Sequence, residues 1–161
     1  MRSALERRQH MIRVELAQDF PVSPETAFAY ITDMANWQRF FPGFVRITNP
    51  TEARWAKPGD RVTVLARLFG RESELHMELQ DFRPAEAVRF VLRQRGLPDM
   101  QHERLFDATS AGCACRFVAA FEPRPGLARL LDRLLVKRAL VRSFNSALSR
   151  LTGLLRDQSP R

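Results

Sequence analysis

The sequence predicts an α+β fold in which a meander of antiparallel strands carries one long helix across a sheet face. Three observations predict it. Between Asp60 and Phe121 apolar residues recur at every second position, the period of a half-buried strand. From Pro125 onward the period changes to about 3.6, that of an amphipathic helix. Between an opening strand and the meander, "PVSPETAFAYITDMANW" carries a helix start at Ser23–Pro24.

The elements follow in order. Residues 13–20, "RVELAQDF", place Val14, Leu16 and Phe20 on one parity and read as a strand. Ser23 is a good N-cap, and Pro24 takes the first helical position, where its missing N–H costs nothing. Ala27, Phe28, Tyr30, Ile31 and Met34 give that helix an apolar face over about three turns. A second short helix, 35–41, stops at Pro42–Gly43. "FVRITN" reads as a strand, and "PTEARWAKPGD" as a connection closing on a Pro-Gly turn. Alternation then runs through Val62–Leu68, Leu75–Leu79 and Val88–Leu92, with breaks at Gly70 and Pro84. "DMQHERLFDAT" and "CACRFVAAFEP" are two further strands joined at "SAG". The total is six to seven strands. In the final segment Leu127, Leu130, Leu131, Leu134, Val141, Phe144, Leu148, Leu151 and Leu155 share one broad face. At 1.5 Å per residue that is one helix of about 45–50 Å, laid on the sheet. The tail from Gln158 is expected to fray.

Composition excludes several classes. The chain has 161 residues, 45% apolar and 27% charged, with a formal net charge of +8, which suits one folded domain over 1–161 with a core at 12–157. The positive charge is almost all Arg; Lys57 and Lys137 are the lysines. That excess reflects either a preference for Arg over Lys or an acidic partner. No nucleic-acid motif is present, and none is expected as partner. Cys113 and Cys115 have neither zinc nor disulfide-framework spacing and read as small core residues. His10, His76 and His102 lack metal-ligand spacing, and His76, flanked in parity by Glu74 and Glu78, reads as a surface residue. Ser23 and Ser143 lie in no nucleophile-elbow sequence, and the seven glycines are scattered, so no nucleotide loop, metal or other cofactor is expected. The opening "MRSALERRQHMIRVEL" has no apolar run of secretory length, and cytoplasmic placement is the expectation.

Three stretches carry a resemblance. "FPVSPETAFAYITDMANWQRFFPGF" looks like the opening strand, helix pair and Trp-containing link of the START-like (SRPBCC) superfamily. This is the helix-grip fold of the birch-pollen allergen and the polyketide cyclase/dehydrase-like proteins. "DATSAGCACRFVAAFEP" is similar to its hairpin, where a Gly-Thr pair is common and Cys113 stands here in the Thr place. "GLARLLDRLLVKRALVRSFNSAL" is similar to its closing helix. The resemblance implies a curved antiparallel sheet gripping the C-terminal helix, with an apolar cavity between them. Its members bind lipids, steroids, polyketides or quinones, and some are cyclases or dehydratases. It supplies no universal catalytic residue, so function has to be argued from the site.

On that match the cavity wall takes Leu75, Met77, Leu79, Phe90, Leu92, Phe106, Phe117 and Val141. Trp37, Phe40 and Phe41 either anchor the helix pair or form the pocket entrance. Trp55 is a lid, dimer or membrane-contact residue. In the strand 99–109, Met100, His102, Arg104 and Phe106 share one parity, and Glu103 must point the other way. If that parity faces the cavity, His102 and Arg104 put polar groups where relatives carry rings. Arg104 then needs a carboxylate or a ligand's polar head, and His102 is an acid–base candidate. The alternative is that both lie at the sheet's end and reach water. Asn145, in the helix row between Val141 and Leu148, is placed to offer the cavity an amide. Lys137 and Arg138 fall within or beside the apolar arc, where their alternative to facing the cavity is to snorkel to solvent. Arg129, Arg133, Arg142, Arg150 and Arg156 form a basic outer face, solvated or resting on an anionic membrane or acidic partner. The expected function is binding or transport of a hydrophobic small molecule, with a cyclase/dehydratase-like enzyme and a membrane- or protein-contact module as alternatives. The sequence leaves the oligomeric state open.

Overall fold

The computed structural model describes residues 10–159. Seven strands form one antiparallel sheet: β1 (Ile12–Phe20), β2 (Phe44–Ile47), β3 (Arg61–Leu68), β4 (Arg71–Arg83), β5 (Ala87–Arg93), β6 (Met100–Thr109) and β7 (Gly112–Phe121). Their spatial order is β1-β7-β6-β5-β4-β3-β2, so the meander runs from β2 to β7 and β1 returns beside β7. Register shifts in β4 between Leu79 and Asp81, and in β2 between Phe44 and Arg46, bend the sheet as bulges do. The helices are α1 (Pro24–Thr32), α2 (Trp37–Phe40), α3 (Ala128–Leu131) and α4 (Lys137–Arg156); a wide π-helical turn, Asp132–Val136, joins α3 to α4. This is the helix-grip α+β fold, with α4 held against the sheet.

Local chemistry fixes these elements. Ser23 caps α1, its Oγ accepting the Thr26 N–H at 3.2 Å. Phe28 of α1 lies edge-on to Phe82 and Phe106, at 5.0 and 5.2 Å between centroids. Gly112 opens β7 with φ +143°, and a Cβ there would stand 2.3 Å from the Phe20 carbonyl oxygen. Only glycine lets the β6–β7 hairpin close onto the end of β1. At the start of the closing helix, fully buried Asp132 accepts from Arg124 Nη2 at 2.6 Å and from the Arg124 backbone N–H at 2.8 Å. Arg124 Nη1 also donates to the Gly96 carbonyl, tying the β5–β6 connection to the helix.

The closing segment departs from expectation in one respect. Phe144, Leu148, Leu151 and Leu155 are buried, but Leu127, Leu130, Leu131 and Leu134 are exposed, together with Leu135. The wide turn gives the inward positions to Asp132 and Val136, and the leucine stripe rotates to the outside. At the other end, Ser159 is tied by its Oγ to the Pro21 carbonyl at 3.0 Å, so the chain from Gln158 to Ser159 is held. The segment 1–9, which carries most of the opening read for a leader, lies outside the described residues. No helix among the described residues is long and apolar enough to cross a membrane.

Candidate functional site: an aromatic cavity around Arg104 and His102

Between the sheet and α4 lies a cavity of about 450 Å³, within the range of small-molecule sites. The β5 and β6 register builds its polar end. His102 stands opposite Phe90 on β5 and Ala119 on β7; Arg104 stands opposite Val88 and Phe117. Both side chains line the cavity, and Glu103 points to the other face, where it pairs with Arg89 at 3.0 Å.

Arg104 is held by rings. Its guanidinium carbon lies 4.0 Å from the Phe117 centroid, 5.1 Å from that of Phe144 and 5.4 Å from that of Phe90. Its one hydrogen bond within the protein runs from Nη1 to the Glu103 carbonyl at 2.9 Å, and no carboxylate pairs with it among the described residues. Burial pushes its pKa down to about 10, which leaves it charged at neutral pH. Among the described residues no Asp or Glu lines the cavity, whereas Arg67 and Arg142 join Arg104 in its wall.

His102 is buried, stacked on Phe90 at 5.0 Å and 6° and edge-on to Phe144 at 6.0 Å. Among the described residues neither ring nitrogen has a hydrogen-bond partner. Burial first, and the Arg104 charge second, hold its pKa well below the ordinary imidazole value, so it is neutral at pH 7. A neutral imidazole has one donor and one acceptor. Here both are unmet among the described residues, beside a half-buried guanidinium that makes one hydrogen bond to them.

Of the residues expected in the wall, Leu75, Phe90, Leu92, His102, Arg104 and Phe117 come together there, with Phe40 and Phe41. Gly43 fixes the turn after α2: its carbonyl accepts the Arg67 N–H at 2.7 Å, and a Cβ would meet Arg67 O at 2.3 Å. Six expected wall or entrance residues, and Trp55, lie elsewhere. Trp37 is core: its Nε1 donates to the Ile31 carbonyl at 3.0 Å, and its ring meets Trp55 edge-on at 5.4 Å. Trp55 in turn meets Phe90 at 5.3 Å, so it is neither lid nor surface contact. Phe106 is taken up by Phe28 of α1. Met77 and Leu79 are buried in the main core. Asn145 is exposed and Val141 half-buried, because Phe144 occupies the inward position and Asn145 lies one residue, about 100°, round the helix from it. Sequence reasoning missed Phe144, Ala147, Leu140, Ala139 and Val136 as cavity wall, and also Leu68, Phe69, Leu97 and Met100. Phe144 was visible as an apolar-face residue; nothing marked it as the ring over Arg104.

A second, smaller depression of about 270 Å³ is lined by Arg61, Thr63, His76, Glu78 and Arg93. It is an exposed ion-pair surface, with Arg61 and Arg93 sharing Glu78 at 3.1 and 3.7 Å. Among the described residues no group of three or more His, Cys, Asp or Glu is placed to hold a metal ion.

Residues 11–156 match the family model described as polyketide cyclase / dehydrase and lipid transport. The chain belongs to this family. Among solved structures, the di-domain ARO/CYC protein StfQ of the steffimycin biosynthetic pathway matches with a TM-score of 0.74 at 16% identity, over 96% of this chain and 54% of that one. The Zhui aromatase/cyclase of a Streptomyces species matches with a TM-score of 0.68 at 16% identity, over 87% and 93%. A Chromobacterium violaceum protein matches with a TM-score of 0.71 at 18% identity, over 92% and 99%. At these identities the likeness establishes the fold and leaves the chemistry to the site. No curated protein matches the chain. The family indicates hydrophobic ligand binding or a polyketide cyclase-like role.

Proposed function

We propose that the chain binds a hydrophobic small molecule whose polar end is an anion, a carboxylate or an enolate, seated on Arg104. One observation carries this reading: a charged guanidinium lies in an aromatic cavity that no carboxylate lines among the described residues. Burying a charge is costly without a counter-ion, and a ligand anion supplies one with two-pronged geometry. His102 adds one neutral donor or acceptor beside it, and Phe90, Phe117 and Phe144 take the apolar body. Native mass spectrometry of gently purified protein, incubated with a panel of aromatic and long-chain acids and their methyl esters, tests this. Retained acids and absent esters support it; equal retention of both, or of neither, overturns it.

A catalytic reading is favoured by the orphaned imidazole. His102, held neutral, is poised to take a proton from a carbon acid, while Arg104 stabilises the enolate formed. It requires that His102→Ala abolish turnover of a polyketide-type substrate while binding survives; loss of binding without any turnover in the parent protein excludes it.

A further inference from the structure

We infer that the α3–π-turn segment is a docking face for an anionic membrane surface, placed beside the cavity. Leu127, Leu130, Leu131, Leu134 and Leu135 recur at i, i+3, i+4, i+7 and i+8, and each is between 53% and 88% exposed. A helix with this pattern ordinarily turns the stripe into its core. Here the inward positions are held by Asp132, locked to Arg124, and by Val136, so the stripe has no cover among the described residues. Five neighbouring exposed leucines form a patch that an isolated soluble surface rarely presents.

Charge selects the occupant. Arg129, Arg133, Lys137 and Arg138 interleave with or follow the leucines. Asp132, the one acid between Pro123 and Arg156, is buried and neutralised by Arg124. Apolar side chains flanked by long cationic ones suit the boundary between acyl chains and anionic headgroups. A second copy of the chain fits poorly, because a two-fold contact through this stripe brings the same cations against one another. The face also adjoins the cavity. Val136, Ala139 and Leu140 line the cavity from the helix side, and Phe69, 71% exposed at the tip of the β3–β4 hairpin with φ +52°, lines it from the sheet side. Docking here sets the cavity wall against the bilayer, the position from which a hydrophobic ligand can be loaded or released without crossing water.

The test is co-sedimentation with vesicles of equimolar phosphatidylglycerol and phosphatidylcholine, and with phosphatidylcholine alone. The protein is expected to sediment with the anionic vesicles, less so as salt rises, and to stay in solution with the neutral ones. Leu130→Glu/Leu134→Glu places carboxylates in the stripe at exposed positions, so folding is retained, and is expected to lower partitioning at least about tenfold. Arg133→Gln/Lys137→Gln is expected to flatten the salt dependence. No sedimentation with anionic vesicles, or sedimentation unchanged by the leucine substitutions, overturns the inference. So does a dimer in sedimentation velocity that the same substitutions dissolve, which would give the face to a second copy.

Discussion

Replacing His102 by Phe isolates the energetic cost built into the cavity. Both imidazole nitrogens are buried and have no partner among the described residues. An unmet buried polar group costs about 1–3 kcal/mol. Phenylalanine keeps the stack on Phe90 and the edge contact to Phe144 while removing both polar atoms, at a packing cost of about 1 kcal/mol for the larger ring. The net expectation is a stabilisation of up to about 2 kcal/mol, or up to about 8 °C in Tm for a chain of this size. A pH signature separates this from generic repacking. The folded-state pKa of His102 lies below its unfolded value, so between those two values the unfolded chain binds the extra proton. Parental stability is then full above the unfolded pKa and falls as pH drops below it, by about 1.4 kcal/mol per pH unit until the folded-state pKa is reached. The advantage of His102→Phe should widen as pH falls from 7.5 to 5, read by urea denaturation at each pH. His10 and His76 remain in both proteins and cancel. A variant that is less stable at pH 7.5 and shows the parental pH slope would refute the reasoning.

Other consequences are as direct. Asp132→Asn removes the anion that Arg124 grips; because Arg124 is partly exposed and rehydrates, the expected loss is about 2–3 kcal/mol by denaturant melting. The paired carboxyl lies below its ordinary pKa, so its contribution is present above the unfolded value and is lost as pH falls through the folded one. The parental protein should therefore lose stability on acidification more steeply than Asp132→Asn. Gly112→Ala forces a Cβ onto the Phe20 carbonyl at a positive φ and should cost about 2–4 kcal/mol, measured the same way, whereas Gly96→Ala, with open space around it, should cost less.

The sheet and α1 were legible in the sequence because each rests on local periodicity or on a cap, whereas the cavity was expected from the family resemblance alone. The strand parity also separated Glu103 from His102 and Arg104 without any structure. What escaped was set by neighbours distant in sequence. Phe106 has the same parity as Arg104, but α1 reaches it first. Asn145 and Val141 lie on the broad apolar arc of the helix, and only the position of Phe144 against Phe117 fixes which part of that arc faces inward. The leucine stripe obeyed the helical period and still faces out, because a buried Asp132–Arg124 pair claimed the inner side. Periodicity finds an apolar face; it does not say what covers it.

The central claim is that Arg104 awaits an anion. Calorimetric titration of the parental protein and of Arg104→Met with one hydrophobic acid and its methyl ester tests it most directly. Removing one partner of a buried charge pair costs about 2–5 kcal/mol, or about 30- to 5,000-fold in Kd. The account predicts that the parental protein prefers the acid and that Arg104→Met loses this preference while still binding the ester. Equal affinity of the parental protein for acid and ester, or an acid preference that survives in Arg104→Met, would contradict it.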